Sequence, residues 1–390
     1  MITIKDKHNC CGCSACAQKC PKQCISMQED EEGFLYPKVD LEECVDCRLC
    51  ERVCPVIEPL KIQNGNDNIK AFAAINNNEA IRLESSSGGV FTAIAEKIIK
   101  DGGKVFGAKF SEDFKSVIHS WTDNLEGLID FRGSKYLQSS INDNYKDCEL
   151  FLKSGEKVLF SGTPCQIQGL KKYLGKDYDN LITIDFICHG VPSPLLWKKY
   201  VEYQEHNFKS NVIKASFRNK NHGWKNFSMS LVFKDKSEYC ATLDKDPYMQ
   251  MFLKDTCLRE SCYNCPSKGI KRVSDITIAD FWGIQYEYPE FDDNEGTSFV
   301  IIHNLKLIHL LSDDCIIKEI DLEKGAKHNS AIEKSCTKHK VRLSFFKDLN
   351  RLPFNKMIKK YAITPWYINA YRLMRRHTGK IIKKLLNKKI

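Results

Sequence analysis

The chain has 390 residues, 42% apolar and 28% charged, which suits two or three domains with ordinary cores and excludes wholesale disorder. No run of 18 apolar residues is present, excluding a membrane-spanning helix, and the start lacks a secretory apolar segment, so a cytoplasmic protein is expected. The formal charge of +9 is a tail property: residues 351–390 carry twelve Lys and Arg and no acid, while the other 350 hold 47 basic and 50 acidic groups, which removes nucleic acid as the expected partner.

Ten of the nineteen cysteines fall within the first 54 residues. Cys10-x2-Cys13-x2-Cys16-x3-Cys20-Pro21 is followed, 34 residues on, by Cys44-x2-Cys47-x2-Cys50-x3-Cys54-Pro55. Each run has the spacing of a two-cluster bacterial ferredoxin, in which three close thiolates wrap one cube and the fourth reaches across to the other. Cys10, Cys13, Cys16 and Cys54 are therefore assigned to one 4Fe–4S cluster, and Cys44, Cys47, Cys50 and Cys20 to the second. A pair of zinc sites is the alternative, since C-x2-C pairs also bind zinc. Cys11 and Cys24 fall outside the pattern and read as small buried thiols.

Residues 61–69 are polar, with Asn and Gly, and read as a linker. A strand is expected at Lys70–Ile75, then Ser85-Ser86-Ser87-Gly88-Gly89 leading into a helix at Val90–Lys100 and a strand at Lys104–Phe110. Ser86 to Gly89 sit where serine hydroxyls cap a helix and glycines let amides approach a phosphate; a simple serine cap is the plainer reading. Lys157–Ser161 reads as a strand running into Gly162-Thr163-Pro164-Cys165 and a helix at Gln166–Leu174. Leu181–Ile187 reads as a buried strand ending in Cys188-His189-Gly190, with a helix near Leu195–His206. Such strand-end loops are where α/β sheets bind ligands.

An antiparallel pair is expected from Val212–Arg218 and Phe227–Phe233. Cys257-x4-Cys262-x2-Cys265-Pro266 forms a further metal candidate, a third 4Fe–4S site if Cys165 or Cys188 supplies the fourth thiolate; zinc or inert buried thiols are the alternatives. His189 is a candidate proton donor or a hydrogen-bonded loop residue. Asp280, at the end of a strand expected at Asp275–Ala279, is a candidate facing a ring cofactor beside Phe281-Trp282, and core filling by Trp282 is the alternative. No G-x-G-x-x-G follows a strand. The fold class expected is α+β (mixed α/β): a ferredoxin-type two-cluster domain at 1–60, a linker at 61–69, a larger α/β domain at 70–340, and a basic amphipathic segment at 341–390. That last segment is read either as a helix docked on the body or as a peripheral contact with anionic membrane.

These blocks together resemble the family of coenzyme F(420) hydrogenase/dehydrogenase beta subunits, which are flavin iron–sulfur oxidoreductases. The resemblance runs from Cys10 to Gly283 and rests on Ser86–Gly89, Gly133-Ser134-Lys135-Tyr136-Leu137-Gln138-Ser139, Ser161–Gln166, Cys188–Pro192, Cys257–Cys265 and Ala279–Gly283 behind the two-cluster module. It implies FAD in the α/β domain, near Ser86, Ser87, Gly88, Gly89, Ser134, Lys135, Tyr136, Gly162, Thr163 and Pro164, and favours a third cubane. It also implies an oxidoreductase passing electrons between ferredoxin or another one-electron donor, the clusters, FAD and a small-molecule or carrier-linked substrate. Relatives of this layout are linked to surface-polysaccharide biosynthesis. The other reading is an electron-transfer beta subunit within a larger hydrogenase or dehydrogenase complex.

Overall fold

The computed structural model describes residues 1–60, 69–311 and 313–363. In the first 60, β1 (Ile25–Glu29) and β2 (Leu35–Val39) form an antiparallel hairpin flanked by short helices at Ala15–Lys19 and Leu49–Arg52. The sequence repeat is visible in the backbone. Ser14 and Arg48, 34 positions apart, both take left-handed conformations (φ 62° and 58°) immediately before those helices.

The body is built on one mixed sheet. Its strands are β3 (Lys70–Asn76), β4 (Lys104–Phe110), β5 (Val117–Thr122), β6 (Val158–Ser161) and β7 (Leu181–Phe186). A separate antiparallel sheet holds β8 (Val212–Asn219), β9 (Ser228–Phe233) and β10 (Glu238–Thr242). The main sheet is completed by β11 (Ile276–Asp280), β12 (Ser298–Ile302) and β13 (Cys315–Ile320), in the order β13-β3-β12-β11-β7-β6-β4-β5. Its centre, β11-β7-β6-β4, is parallel and its flanks are antiparallel.

Period-two alternation sends neighbours to opposite faces of this sheet. Leu159, Val300 and Ile302 pack with the helix Val90–Lys100 on one face. On the other, Phe160 meets Ile167 and Leu170 of the helix Pro164–Leu174, while Phe299 and Ile301 meet Trp224 and Phe281. Because β6, β7 and β11 run parallel, their carboxyl ends bring Gly162–Cys165, Ile187–Gly190 and Asp280–Gly283 to one edge. The two-cluster module docks beside that edge. Residues 61–68 of the expected linker and 364–390 of the expected tail lie outside the described residues. From 341 onward a separate amphipathic segment was expected, but as far as Ala362 the chain belongs to the body: Phe345, Phe346, Leu349, Met357 and Tyr361 share a core with Trp197 and Tyr248. Among the described residues no helix is long and apolar enough to cross a membrane.

Candidate functional site

The two cysteine quartets of the amino-terminal module sit in different surroundings. Cys10, Cys13, Cys16 and Cys54 are all buried, at 7–9% exposure. Cys16 is pushed up first by its burial and then by the neighbouring Cys10 and Cys54, which fits one set of thiolates around one centre. Cys20, Cys44, Cys47 and Cys50 instead line a single cavity, with Cys24 on its wall and its sulfur 3.4 Å from that of Cys20. Cys44 is half-buried and Cys47 exposed.

Among the described residues no three His, Cys, Asp or Glu are gathered tightly enough for a single metal ion. A tetrahedral zinc site would draw thiolates to about 3.8 Å of one another. A cubane spreads them wider, because each thiolate binds a different corner. The Cys-x2-Cys-x2-Cys-x3-Cys-Pro spacing of the two runs is the one that clusters use.

A third cysteine group forms in the body. Cys165 opens the helix Pro164–Leu174, which is fixed by a capping box between Thr163 and Gln166, and its sulfur lies 3.1 Å from Thr163 Oγ1. Cys188 comes from the loop after β7, and Cys262 and Cys265 from a short turn at Glu260–Asn264. Burial pushes Cys188 up to about 12, with Cys165 and Cys265 as its next largest influences. Cys262 is raised likewise by burial, then by Cys188, with Cys165 and Cys265 also acting on it. These four cysteines converge.

Cys257, expected as a ligand, does not join them. An antiparallel bridge between Pro192 and Leu258 fixes the backbone beside it, and Cys257 is wholly buried in the apolar core with Tyr248 and Leu258. Cys188 lies with the group instead, beside Cys165, so both strand-end cysteines are near it.

Cys11 lies between the inner quartet and this third group, close enough to share hydrogen bonds with Cys13 on one side and Cys165 on the other. The contact is tight. A Cβ built on Gly169, one turn beyond Cys165, would fall 2.9 Å from Cys13 Sγ.

Beyond the cysteines, a buried polar group occupies the end of β11. Asp280 forks onto Arg218 at 2.9 and 3.0 Å and accepts from Trp224 Nε1 at 3.0 Å. Arg218 also donates to Tyr136 Oη at 3.2 Å and to the Ser86 carbonyl at 3.3 Å. Its Nε is buried without a partner, and its guanidinium lies 3.9 Å from the Phe227 ring centroid and 5.2 Å from that of Trp282. Trp224 and Trp282 stack at 5.0 Å.

Ser134 N donates to Ser86 Oγ at 2.6 Å, joining two of the loops expected at a flavin. Lys135 turns its ammonium onto the carbonyls of Asp130 and Arg132, and desolvation brings it down to about 7. Ser87 Oγ and Gly88 N are satisfied within the fold, by Thr297 O and Ser298 Oγ. A Cβ on Gly88 would meet Ala74 O at 2.3 Å, so packing alone demands that glycine. The helix start after Gly89 has no side-chain cap. His189 is half-exposed, 2.5 Å from Asp255 Oδ1, with its ring edge-on to Phe252.

The family model for the carboxyl-terminal part of the coenzyme F420 hydrogenase/dehydrogenase beta subunit matches residues 155–327, and that of the 4Fe–4S dicluster domain matches residues 9–57. Residues 155–327 thus carry the carboxyl-terminal domain of the coenzyme F420 hydrogenase/dehydrogenase beta subunits. Its amino-terminal module is a 4Fe–4S dicluster domain.

Among similar proteins of this family, the coenzyme F420-dependent sulfite reductase of Methanocaldococcus jannaschii is 30% identical over 43% of this chain and 26% of its own length. One of the subunits of the F(420)H(2) dehydrogenase of Methanosarcina mazei is 24% identical over 40% of this chain and 46% of its own. A ferredoxin of M. jannaschii matches 17% of this chain and 94% of its own length at 35% identity. The chain thus spans less than half of the larger relatives. The F420-reducing [NiFe] hydrogenase complex of Methanosarcina barkeri includes a chain that aligns with 74% of this one and 90% of its own length, at 15% identity and a TM-score of 0.43.

Within this family layout, sequence reasoning missed Arg218, Trp224 and Arg259. An arginine in a strand or between cysteines gives no sign of burial until its neighbours are known. A cleft of about 1050 Å³, bordered by Lys19, Arg52, Lys172 and Lys271, opens near the amino end of β11 and is lined by no cysteine among the described residues.

Proposed function

We infer that the chain is a flavin- and 4Fe–4S-dependent oxidoreductase in which the amino-terminal module relays single electrons into the α/β domain. The observation carrying this reading is Cys11, wedged between Cys13 of the inner quartet and Cys165 of the third cysteine group. Cys10, Cys13, Cys16 and Cys54 would hold one cubane, Cys20, Cys44, Cys47 and Cys50 the second, and Cys165, Cys188, Cys262 and Cys265 a third. Four converging thiols with no carboxylate or imidazole among them are the donor set iron–sulfur clusters use.

The residues at the strand ends fit FAD. The unpartnered Arg218 Nε, beside Tyr136, Ser86 and the Trp282 face, supplies a buried donor at a surface suited to a planar ring. The uncapped helix start after Gly89 offers amides to a phosphate. FAD bound there would supply the conversion between single electrons and hydride equivalents. Asp280, committed to Arg218 and Trp224, serves to hold that guanidinium in place. His189, half-exposed and paired with Asp255, is positioned to pass a proton between solvent and the site.

Iron, sulfide and flavin are to be measured on anaerobically purified protein, expecting about twelve irons per chain and one FAD. Cys188→Ser is expected to lose one cluster and Cys257→Ser none; the reverse outcome would move the third site. The second reading, an electron-transfer component of a larger complex, is favoured by the relative named as part of a dehydrogenase. Sizing the native protein in cell extract separates the two.

A further inference from the structure

Four arginines of the body, Arg82, Arg218, Arg259 and Arg342, are buried, and they differ in what balances their charge; Arg82 is paired with Asp293 and Glu295. Arg218 is paired with Asp280, and Arg342 with Glu32 and Glu260. Arg259, with no exposed surface, is paired with no carboxylate among the described residues. It donates instead to neutral carbonyl acceptors: Cys10 O at 2.8 Å, Leu35 O at 3.0 Å and Gln138 Oε1 at 2.8 Å. Its face covers the Tyr36 ring, 4.1 Å from the centroid. The remaining contact is with sulfur: Nη2 stands 3.5 Å from Cys10 Sγ. The carbonyl of Arg259 itself accepts from Cys262 N at 3.0 Å, which ties it to the third group, and its charge acts on Cys11, Cys165 and Cys262.

A guanidinium taken out of water needs a compensating anion. Among the described residues the acidic groups acting on Arg259 are the Tyr36 hydroxyl and the thiols of Cys10, Cys11 and Cys262; the thiol is the more acidic type, and Cys10 and Cys262 belong to two different cysteine groups. We propose that Arg259 is a shared buried cation that raises the reduction potentials of the inner amino-terminal cluster and of the Cys165–Cys188–Cys262–Cys265 cluster together. The second amino-terminal cluster, whose thiols Arg259 does not approach, is left unaffected. This rests on the cluster reading above.

The sign follows from charge. A cubane with four thiolates is anionic, and each one-electron reduction adds a further negative charge to it. A fixed cation in a site where water does not screen it therefore favours the reduced form. Hydrogen bonding to ligand sulfur acts in the same direction. Arg259 is a tuning residue; it touches ligands and neither donates nor accepts the electron.

The test is a dithionite titration, with redox mediators, of the anaerobically reconstituted full-length chain, followed by electron paramagnetic resonance. Iron and sulfide are measured first. In R259Q two of the three cluster signals are expected to shift at least tenfold toward the oxidised form at a fixed solution potential, 59 mV for a one-electron couple. The third signal stays in place as the internal control, and R259K, which keeps the charge, shifts the two signals less than R259Q does. The proposal is overturned if all three signals move, if none moves, or if R259K shifts as far as R259Q. A wild-type chain holding only two clusters overturns the third site itself, and the sharing with it.

Should R259Q fail to retain iron, the wild-type titration decides. The two clusters beside the buried guanidinium are then expected to reduce first, at potentials that do not move between low and high KCl, because a buried charge escapes salt screening. A second cluster that reduces first would overturn the proposal.

Discussion

The inner and outer cysteine quartets are near copies in sequence, with the same spacing, the same trailing proline and the same left-handed residue before the short helix. Their settings are opposite. The inner one is buried against the body, wedged by Gly169 and contacted by Arg259, while the outer one includes an exposed Cys47 within the run 40–48, where Leu41 is 65% and Val45 60% exposed. The repeat thus fixes the cysteine spacing, and the surroundings set the two quartets apart: the outer one faces solvent, the inner one faces the third cysteine group.

The largest expected effect comes from removing the inner centre. Cys13→Ser should slow bleaching of the flavin by dithionite-reduced ferredoxin by orders of magnitude, measured by stopped flow. Equal bleaching in variant and wild type would mean that electrons bypass the inner quartet. Next, timed release of iron to a chelator in the absence of reductant should be biphasic, with the outer quartet's irons leaving first. A single phase would remove the difference in exposure as a functional distinction.

A third experiment attacks the docking that buries the inner quartet. Arg342 spans Glu32 of the two-cluster module at 2.5 Å and Glu260 at 2.7 Å. Arg342→Met leaves Glu32 buried and without its guanidinium, while Glu260 keeps Lys338, and urea unfolding should show a loss of about 3–5 kcal/mol. A loss below about 1 kcal/mol, the range of an exposed pair, would mean that this link is not what holds the module down.

The smallest effect concerns His119, which packs flat on Phe160 and whose Nε2 lies 3.1 Å from Ser161 O at the strand end beside Gly162. Burial holds its imidazole down to about 4. Between pH 6.5 and about 4 the unfolded chain takes up a proton that the folded one refuses, so this residue's contribution falls as pH drops through that window and levels off below it. The slope is roughly 1.4 kcal/mol per unit. Buried Asp185 and Asp246, raised to about 6, act in the opposite sense over part of the same range. The check is therefore the difference in stability between wild type and His119→Phe against pH, and a flat difference would contradict the burial.

Much of this architecture is legible in the residues. Runs such as Lys104–Phe110 and Leu181–Ile187, and the helix Val90–Lys100, carry enough periodicity to stand alone, and the matched strands agree with them to within a residue or two. β12 escapes such a reading although Ser298–Ile302 is almost continuously apolar, because a strand buried on both faces loses the alternation that marks it. β13, at the sheet edge, escapes it too. The cysteine quartets are legible because their spacing is itself the chemistry.

The third group is only half legible. Cys262 and Cys265 follow a ligand-like spacing, but Cys257 matches it equally well, and what separates them is a backbone bridge between Pro192 and Leu258 formed across 66 residues of chain. Asp280 can be picked out by its place at a strand end. Arg218, which fills its carboxylate, cannot.

One further consequence lies in the helix Pro164–Leu174. It begins with Cys165 and, a turn later, presses Gly169 against Cys13. A single rigid rod of fixed pitch therefore sets the spacing between two of the cysteine groups. For the proposed relay, the separation between two stations would be written as four residues of α-helix, about 6 Å of rise, with no hinge between them. Adding or deleting one residue in that turn would rotate Gly169 away by about 100° and drive a side chain into the gap beside Cys13.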